Sequence, residues 1–376
     1  MPLFSVVIPT HNRADLLCYT IQGVLNQDFD DYEIIVSDNF SCDNTKQIIR
    51  SFSDKRIKYI STVKYLSAGD SWDFAIYDAK GKYIVMMPDD DCMTPKFLST
   101  MAPFAQSEEV NLISCITGRY YYPDFPKPSF RNQLHIEPFT DRVLEFSALE
   151  TLKKWHYLDC RLVPLPSAVM SRKIIDIVKS KIGRFFFNPA PDYCASSMIL
   201  SFGGSFILVD RPLLAFGDCA KTYRSTVKII PGVTIYSPLG DMNNPFEVAL
   251  LKGHYSINVF VESLFKSKCN LPENFFDFKF AWALYFSEYY SGMQDKKREG
   301  YNIERDELEY KNVVSKLTPG LLDNYSNELA IRYNMQKQGP QLVSGQNIIL
   351  QGEQNGFSNI LECASKLEVL SQVNKK

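Results

Sequence analysis

The sequence lacks the features that mark several large classes of protein. Its formal net charge is −2, so it has no excess of the basic residues that nucleic-acid-binding proteins display. Its nine cysteines include no CxxC pair, which argues against a zinc site and against a disulfide framework. No apolar run approaches the roughly 18 residues that a membrane-spanning helix needs. We therefore expect a cytoplasmic protein with no leader segment and no nucleic-acid partner.

Two common phosphate-binding motifs are also absent. Neither G-x-G-x-x-G nor G-x-x-x-x-G-K-[ST] occurs, so the usual dinucleotide-binding and P-loop proteins are excluded. The sequence does have the composition of a soluble globular protein, with 45% hydrophobic and 22% charged residues. Its 376 residues are too many for one ordinary domain and enough for two.

One short stretch, residues 83–91, is the central feature of the sequence. The apolar run 83–87 is followed almost at once by three consecutive aspartates, Asp89, Asp90 and Asp91. Such a run is typical of a strand buried on both faces of a parallel sheet, and ligands of open α/β sheets bind just past such strands. Three adjacent carboxylates repel one another, so a divalent cation such as Mg²⁺ or Mn²⁺ would account for them. The alternative is a solvated acidic turn that precedes the next helix.

The first part of the chain alternates predicted strands with predicted helices. Strands are expected over 4–10, 32–37, 57–60 and 83–87, and helices over 16–25, 44–49 and 70–79. This alternation predicts right-handed crossovers and a parallel sheet. Polar residues follow three of the strands at one edge of that sheet, namely 10–13, 38–39 and 89–91. Without a glycine-rich cradle, a carboxylate-bound metal is the available device for holding phosphates.

The rest of the chain divides into two parts. Further strands are expected over 111–122 and 206–210, and helices over 144–155, from 172 onward and over 194–200. After about residue 236 the pattern becomes helical, with helices predicted over 244–266, 275–290, 304–315 and 360–373. We predict an α/β domain over 1–230, with a donor half at about 1–105 and an acceptor half at about 106–230. A mainly helical C-terminal region follows over 231–376.

Four motifs in this order resemble the family 2 glycosyltransferases of the GT-A fold. They are SVVIPTHNR at 5–13, YEIIVSDNFSCDNT at 32–45, AKGKYIVMMPDDD at 79–91 and PDY at 191–193. Together they cover roughly the first 215 residues, and the C-terminal third has no part in the match. The resemblance implies a Rossmann-like, mostly parallel sheet and an inverting transfer of a sugar from a nucleoside-diphosphate sugar, with a UDP-sugar favoured.

The resemblance also implies roles for individual residues. The nucleotide-sugar site would comprise Pro9, Thr10, Asn12, Arg13, Asp38, Asp89 and Asp90. The three aspartates would be the DXD motif, with Asp91 the first choice as ligand of Mn²⁺ or Mg²⁺ and Asp89 the second. Asp192 matches the family's catalytic base, which removes the proton of the acceptor hydroxyl. One base without a partnering nucleophile is enough for a single inverting displacement.

Simpler interpretations stay open for several of these residues. Asp38 could cap the turn after its strand, and Asp192 could be the N-cap of a helix. Trp72-Asp73 stands where many relatives carry Arg-Asn, which removes a phosphate contact, and Asp218 is either a substitute ligand or a turn residue. The alternative function is a non-catalytic module that binds a nucleotide-sugar or glycan, or that scaffolds a partner enzyme. A nucleotidyltransferase is disfavoured because the glycine-rich loop with a basic residue after the first strand is missing.

The expected partners follow from the same resemblance. They are a nucleoside-diphosphate sugar as donor and a saccharide or lipid-linked saccharide as acceptor, in the synthesis of a surface polysaccharide. Acceptor choice is expected in the segment 120–135 and in the C-terminal helices. Those helices could also mediate peripheral contact with the inner face of the membrane or form a homo-oligomer.

Overall fold

A computed structural model describes residues 1–156, 168–187, 191–221 and 347–373, together with isolated residues between 271 and 311. The predicted helices over 244–266 and 275–290 and most of that over 304–315 lie outside these residues. Within them, no helix combines the length and apolar character that crossing a membrane requires. The described residues form one mixed sheet of eleven strands with helices packed against it.

The N-terminal part is the predicted parallel α/β unit. Its elements are β1 (Phe4–Thr10), α1 (Ala14–Leu25), β2 (Tyr32–Asp38), α2 (Thr45–Ser51), β3 (Ile57–Ser61), α3 (Ala68–Ala75) and β4 (Tyr83–Met86). The strands lie in the order β3-β2-β1-β4 and are all parallel. Both β1 and β4 are buried along their whole length, as expected for strands covered on two faces. The α/β fold class is confirmed.

The sheet continues through strands that run in both directions. The elements are β5 (Cys92–Met93), α4 (Phe97–Met101), β6 (Val110–Tyr121), β7 (Gln133–Ile136), β8 (Val143–Ser147), α5 (Ala148–His156), β9 (Val169–Ser171), α6 (Arg172–Ile182), α7 (Pro191–Ser201) and β10 (Ser205–Asp218). Strand β9 joins β4 to β6 through antiparallel pairs. Strand β10 lies parallel to β6 and antiparallel to β5 and β8.

Two of the sequence predictions for this part are wrong in detail. The segment predicted as a helix from 144 begins as strand β8, and helix α5 starts only at Ala148. Strand β10 does not end near Asp210 but runs on to Asp218. The pairing of β10 with β6 shifts register on both sides of Pro212, and such an irregularity accommodates a residue that has no N–H for the ladder.

The last described segment returns to this sheet. Strand β11 (Ile348–Gln351) pairs with β7 in antiparallel fashion, and α8 (Gly352–Asn355) and α9 (Ile360–Val373) follow. Helix α9, which the sequence predicted, packs against α1, β5, β6 and β10. Its buried residues share a core with Leu16, Cys92 and Tyr120. The division into 1–230 and 231–376 stays a prediction, but residues 347–373 belong to the core of the α/β unit.

Candidate active site

The carboxyl ends of β1, β2 and β4 meet at one edge of the parallel sheet, and the predicted polar residues lie there. Thr10 ends β1, and its hydroxyl donates a hydrogen bond to Oδ2 of Asp89 at 2.7 Å. Asp38 ends β2 in register with Thr10. All three aspartates after β4 are at most 5% exposed, so the acidic cluster is not a solvated turn. The predicted convergence of Thr10 and the aspartates is thus present.

Arg13 is the counter-charge of two of the aspartates. Its Nη1 lies 2.8 Å from Oδ1 of Asp89 and 3.1 Å from Oδ2 of Asp90. Burial alone would lower the pKa of Arg13, but the charges of Asp89 and Asp90 outweigh that effect and raise it. A charge-assisted contact in so dry a place is much stronger than one at the surface. Arg13 therefore holds a fixed positive charge at the centre of the site.

Asp91 is placed differently from its two neighbours. Its side chain is fully buried, and Oδ1 accepts a hydrogen bond of 2.8 Å from the backbone N–H of Gly217 on β10. Among the described residues, its Oδ2 has no hydrogen-bond partner. Burial, and then the charge of Asp90, raise the pKa of Asp91 well above its usual range. A buried carboxylate oxygen without a partner destabilises the fold. Binding a proton or a cation would stabilise this carboxylate.

Three residues that the sequence did not single out hold the backbone of the aspartate loop. The hydroxyl of Thr20 on α1 lies 3.0 Å from the carbonyl oxygen of Asp89 and 2.8 Å from that of Asp91. The hydroxyl of Tyr122 donates to the carbonyl oxygen of Asp90 at 3.1 Å. At Gly217, an added Cβ would lie 1.9 Å from that same carbonyl oxygen. The loop is therefore fixed by α1 on one side and by β6 and β10 on the other.

Asp38 and Asn12 are engaged in local contacts. Oδ1 of Asp38 accepts from the N–H of Ser41 at 2.9 Å, and Oδ2 accepts from the hydroxyl of Tyr59 at 2.9 Å. The first contact is the turn-capping interaction that the sequence left open. Asn12 has a positive φ of 54°, and its side-chain oxygen accepts from the N–H of Cys42 at 2.8 Å. These contacts fix the loops that border the ends of β1 and β2.

Two rings lie beside these loops. The imidazole of His11 packs against the ring of Tyr65 with centroids 4.9 Å apart, and Tyr65 is 62% exposed. Pro9 lies within buried β1 opposite Ser37, so it shapes the strand end rather than presenting a polar group. Of the predicted nucleotide residues, Thr10, Arg13, Asp89 and Asp90 are thus linked by direct contacts. Asn12 instead contacts the loop after β2, and Asp38 contacts that loop and β3.

Asp192 lies in the first turn of α7 and is partly exposed. The segment before it is anchored by Asp73 on α3, whose Oδ1 accepts from the backbone N–H groups of Phe185 and Phe186 at 3.0 and 3.3 Å. Arg184 adds an ion pair to Asp73 at 3.4 Å. Burial raises the pKa of Asp73. The Asp73 carboxylate therefore holds the backbone of residues 185 and 186, a few residues before α7.

Trp72 and Asp218 contact neighbouring side chains of the fold. The ring of Trp72 packs edge to face on Phe186 with centroids 5.3 Å apart, which supports core packing rather than sugar stacking. Asp218 is the last residue of β10, is 5% exposed and pairs with Arg119 at 2.8 Å. This ion pair lies one residue beyond Gly217, at the same edge as the aspartate loop.

The site offers the oxygen ligands that a divalent cation prefers, but its side chains are not grouped as metal coordination requires. Carboxylate oxygens are what Mg²⁺ and Mn²⁺ prefer, and the unpartnered Oδ2 of Asp91 is suited to such an ion. Among the described residues, however, no three acidic, histidine or cysteine side chains are grouped so that they could hold a metal ion. The Arg13 guanidinium already occupies the carboxylates of Asp89 and Asp90.

Comparison with known proteins confirms the class that the motifs predicted. Residues 5–175 match the model of the family described as Glycosyl transferase family 2. This match covers less than half of the chain, and it supports the family and the enzyme class that the motifs predicted. The matched segment includes β1 to β4, the aspartate loop and the start of α6, and it ends before Asp192.

Curated relatives match part of the chain. The chain is 38% identical over 104 residues to the Campylobacter jejuni GalNAc(5)-diNAcBac-PP-undecaprenol beta-1,3-glucosyltransferase, which is 27% of this chain and 34% of the relative. It is 32% identical over 110 residues to the Escherichia coli UDP-Glc:alpha-D-GlcNAc-diphosphoundecaprenol beta-1,3-glucosyltransferase WfaP, which is 29% of this chain and 44% of the relative. The chain thus spans less than half the length of either relative.

A solved structure shows the same fold over most of the chain. Staphylococcus aureus TarS 1–349, crystallised in complex with UDP, aligns with a TM-score of 0.51 and covers 93% of this chain and 97% of its own. The two sequences are 14% identical, so the likeness concerns the fold alone. It agrees with the GT-A fold expected from the motifs.

Proposed function

We propose that this protein transfers a sugar from a nucleoside-diphosphate sugar, with a UDP-sugar favoured, to a saccharide or lipid-linked saccharide. The observation that carries the proposal is the buried cluster of Thr10, Arg13 and the three aspartates at the carboxyl edge of the parallel sheet. Ligands of open α/β sheets bind at such an edge. The Arg13 guanidinium would attract the diphosphate of a nucleoside-diphosphate sugar, and the aspartates would attract the metal ion that accompanies it.

The donor and acceptor classes are supported by the relatives. WfaP is named for UDP-Glc as its donor, and both relatives are named for acceptors that carry a diphosphate-linked undecaprenol. The matches cover 34% and 44% of these relatives, so neither spans a whole relative. The lipid-linked acceptor and the role in polysaccharide synthesis are therefore part of the proposal.

In the proposed reaction, Asp192 takes the proton of the acceptor hydroxyl as that oxygen attacks the anomeric carbon of the donor. A hydroxyl is a weak nucleophile, and a positioned carboxylate contributes by removing its proton in the transition state. Asp73 and Arg184 hold the segment that leads to α7 and so to Asp192. A single displacement by the acceptor oxygen inverts the anomeric centre and needs only one base, without a second carboxylate as nucleophile.

The negative charge that develops on the leaving diphosphate needs a counter-charge. A divalent cation, Mn²⁺ or Mg²⁺, held by Asp91, whose Oδ2 has no partner among the described residues, would supply Lewis-acid stabilisation there. Arg13, which is buried and always charged, would supply a fixed positive charge at the same place. Thr10 and Thr20 hold the aspartate loop in position for either partner.

Calorimetric titration of UDP, GDP and dTDP, each with and without Mn²⁺, tests the donor part of the proposal. We expect tight binding of one nucleotide, dependent on the metal and lost in Asp91→Ala. Failure of all three nucleotides to bind would refute the donor site.

The variant Asp192→Asn tests whether the protein is an enzyme or a non-catalytic module. Asparagine keeps the shape of the side chain but cannot accept the proton. We expect nucleotide affinity to be unchanged and sugar transfer to a lipid-linked or free saccharide acceptor to fall by about 10²–10⁴-fold. Full transfer by Asp192→Asn would remove Asp192 as the base. Donor binding without turnover, in the unaltered protein as in the variant, would favour the binding module.

A further inference from the structure

A second concave site lies at the other end of β4 from the aspartate loop. Its volume is about 210 Å³, and it lies between the C-terminal end of α3, the start of β4 and one face of α6. Its floor is apolar, because Ile76, Ile84 and Ile175 line it and each is at most 4% exposed. Small-molecule pockets are commonly about 300–1,000 Å³ and mostly apolar. This cavity, which we name the α3–α6 cavity, therefore suits a small ligand with an apolar part.

The spacing of charged residues along α6 places them beside this floor. Arg172, Ile175, Asp176 and Lys179 are three or four residues apart, so they share one face of the helix, and all four line the cavity. Arg172 and the half-buried Lys179 bring two positive charges, and Asp176 brings one negative charge. The Asp176 side chain is 60% exposed, and its carboxylate lies 3.5 Å from Nε of Arg172. The cavity lining therefore carries a net positive charge, and its one carboxylate is mostly in water.

One nitrogen of the Arg172 guanidinium has no hydrogen-bond partner among the described residues. That nitrogen, Nη1, is buried, although the whole side chain is 29% exposed. Arginine has only donors and stays charged in proteins, so loss of a proton cannot relieve Nη1. A buried charged donor without an acceptor destabilises the fold. An anionic oxygen bound in the cavity would supply that acceptor.

The backbone fixes the position from which the Arg172 side chain starts. The N–H of Arg172 donates to the carbonyl oxygen of Lys82, just before β4, at 3.0 Å. The preceding residue, Ser171, ends β9 and pairs with Tyr83 of β4. Arg172 therefore enters α6 directly from the central sheet. A group that is already held in place loses less freedom when it binds a ligand.

We propose that the α3–α6 cavity binds a phosphate group joined to an apolar chain. The phosphate contacts Arg172 and Lys179, and the first carbons of the chain lie on the three isoleucines. Arginine matches the oxygens of a phosphate with paired donors, and lysine adds a point charge. Both free organophosphates and anionic lipids carry such a group. The site is at the opposite end of β4 from the aspartates, so the inference does not rest on the proposed function.

Calorimetric titration of the full chain with n-butyl phosphate and with inorganic phosphate tests the site. We expect n-butyl phosphate to bind at least about tenfold more tightly, because its buried methylene groups add to the ionic contact. Arg172→Met and Lys179→Met should each weaken n-butyl phosphate binding several-fold. Lys173→Met is the matched control, since Lys173 adjoins Arg172 but is 66% exposed, lies 3.9 Å from Glu108 and does not line the cavity. Equal affinity for the two phosphates, equal binding by all four proteins, or no binding by the unaltered protein would overturn the proposal.

Hydrogen exchange in the unaltered protein gives a test that does not depend on the folding of a variant. Saturating n-butyl phosphate should slow amide exchange in peptides that cover residues 76–84 and 172–179. Excess UDP should leave this protection unchanged, because the nucleotide is expected at the other end of β4. Protection confined to β1 and the aspartate loop, or protection lost on addition of UDP, would show binding at the nucleotide site and refute the proposal.

Vesicles separate the two sources of the phosphate group. Co-sedimentation with phosphatidylglycerol vesicles, with phosphatidylcholine vesicles as the blank, is compared for Arg172→Met and Lys173→Met. Weaker sedimentation of Arg172→Met than of Lys173→Met would identify a lipid headgroup as the ligand. Equal sedimentation of the two variants, together with n-butyl phosphate binding that only Arg172→Met loses, would identify a free organophosphate. If the two variants are equal in both measurements, the cavity is not a phosphate site.

Discussion

The variant Leu367→Ala measures whether the C-terminal helix α9 is part of the core of the α/β unit. Leu367 is fully buried, and its methyl groups lie 3.0 and 3.2 Å from where a Cβ on Gly118 of β6 would stand. Truncating a buried leucine removes its transfer free energy and leaves a cavity, which together cost about 2–5 kcal/mol. Domains are commonly stable by about 5–15 kcal/mol, so the loss is a large part of the total.

Urea unfolding followed by circular dichroism gives the free energy of unfolding. We expect the midpoint of the main transition to fall by an amount that corresponds to about 2–5 kcal/mol. The control is Val369→Ala on the same helix, where the side chain is 55% exposed and the change should stay within about 0.5 kcal/mol. Nucleotide binding should weaken with Leu367→Ala as well, because α9 packs on β5, directly after the aspartates. A main transition unmoved by Leu367→Ala would refute the assignment of α9 to this core.

Three further predictions concern a close approach, thiol access and pH. Gly217→Ala places a Cβ 1.9 Å from a backbone carbonyl oxygen of the aspartate loop, so nucleotide binding should be lost in calorimetry. Gly356→Ala, where φ is 72° and nothing lies within 4 Å of the added Cβ, should cost about 1 kcal/mol in urea unfolding and keep binding. Of the seven described cysteines, Cys18 and Cys42 should react with iodoacetamide in the folded protein and the five buried ones should not, as peptide mapping would show. Burial, and then a nearby arginine, lower the pKa of His135 below its ordinary 6.5, so the unfolded chain binds the proton more readily. Stability should thus fall as the pH drops through 6.5, and His135→Gln should reduce that slope; an equal slope in both proteins would contradict it.

The parallel half of the fold could be predicted because its strands are buried on both faces. Runs such as 4–10 and 83–87 are short, apolar and bounded by polar residues, and that pattern has few alternatives. Strand β8 was missed because it lies at the edge beside β10, with Leu144 and Phe146 half-buried between exposed neighbours. In that segment the period-two pattern covers five residues and runs directly into the helical pattern of α5, so the two were not separated.

The chemistry of the site was predicted better than its geometry. The motifs identify Thr10, Arg13 and the aspartates, since their types and spacings are those of the family. They do not identify Thr20 or Gly217, which reach the aspartate loop only because α1 and β10 are folded against it. A threonine within a helix and a glycine at the end of a strand carry no signal in one sequence, because their importance depends on contacts distant along the chain.

Three aspartates in a row look equivalent in the sequence, but the fold makes them different. Asp89 is met by the hydroxyl of Thr10 and by Arg13, and Asp90 shares the same nitrogen of Arg13. Asp91 faces away from Arg13 toward Gly217, and its second oxygen is left without a partner among the described residues. A cation that approaches this loop therefore finds one carboxylate that needs a positive charge and two that already have one.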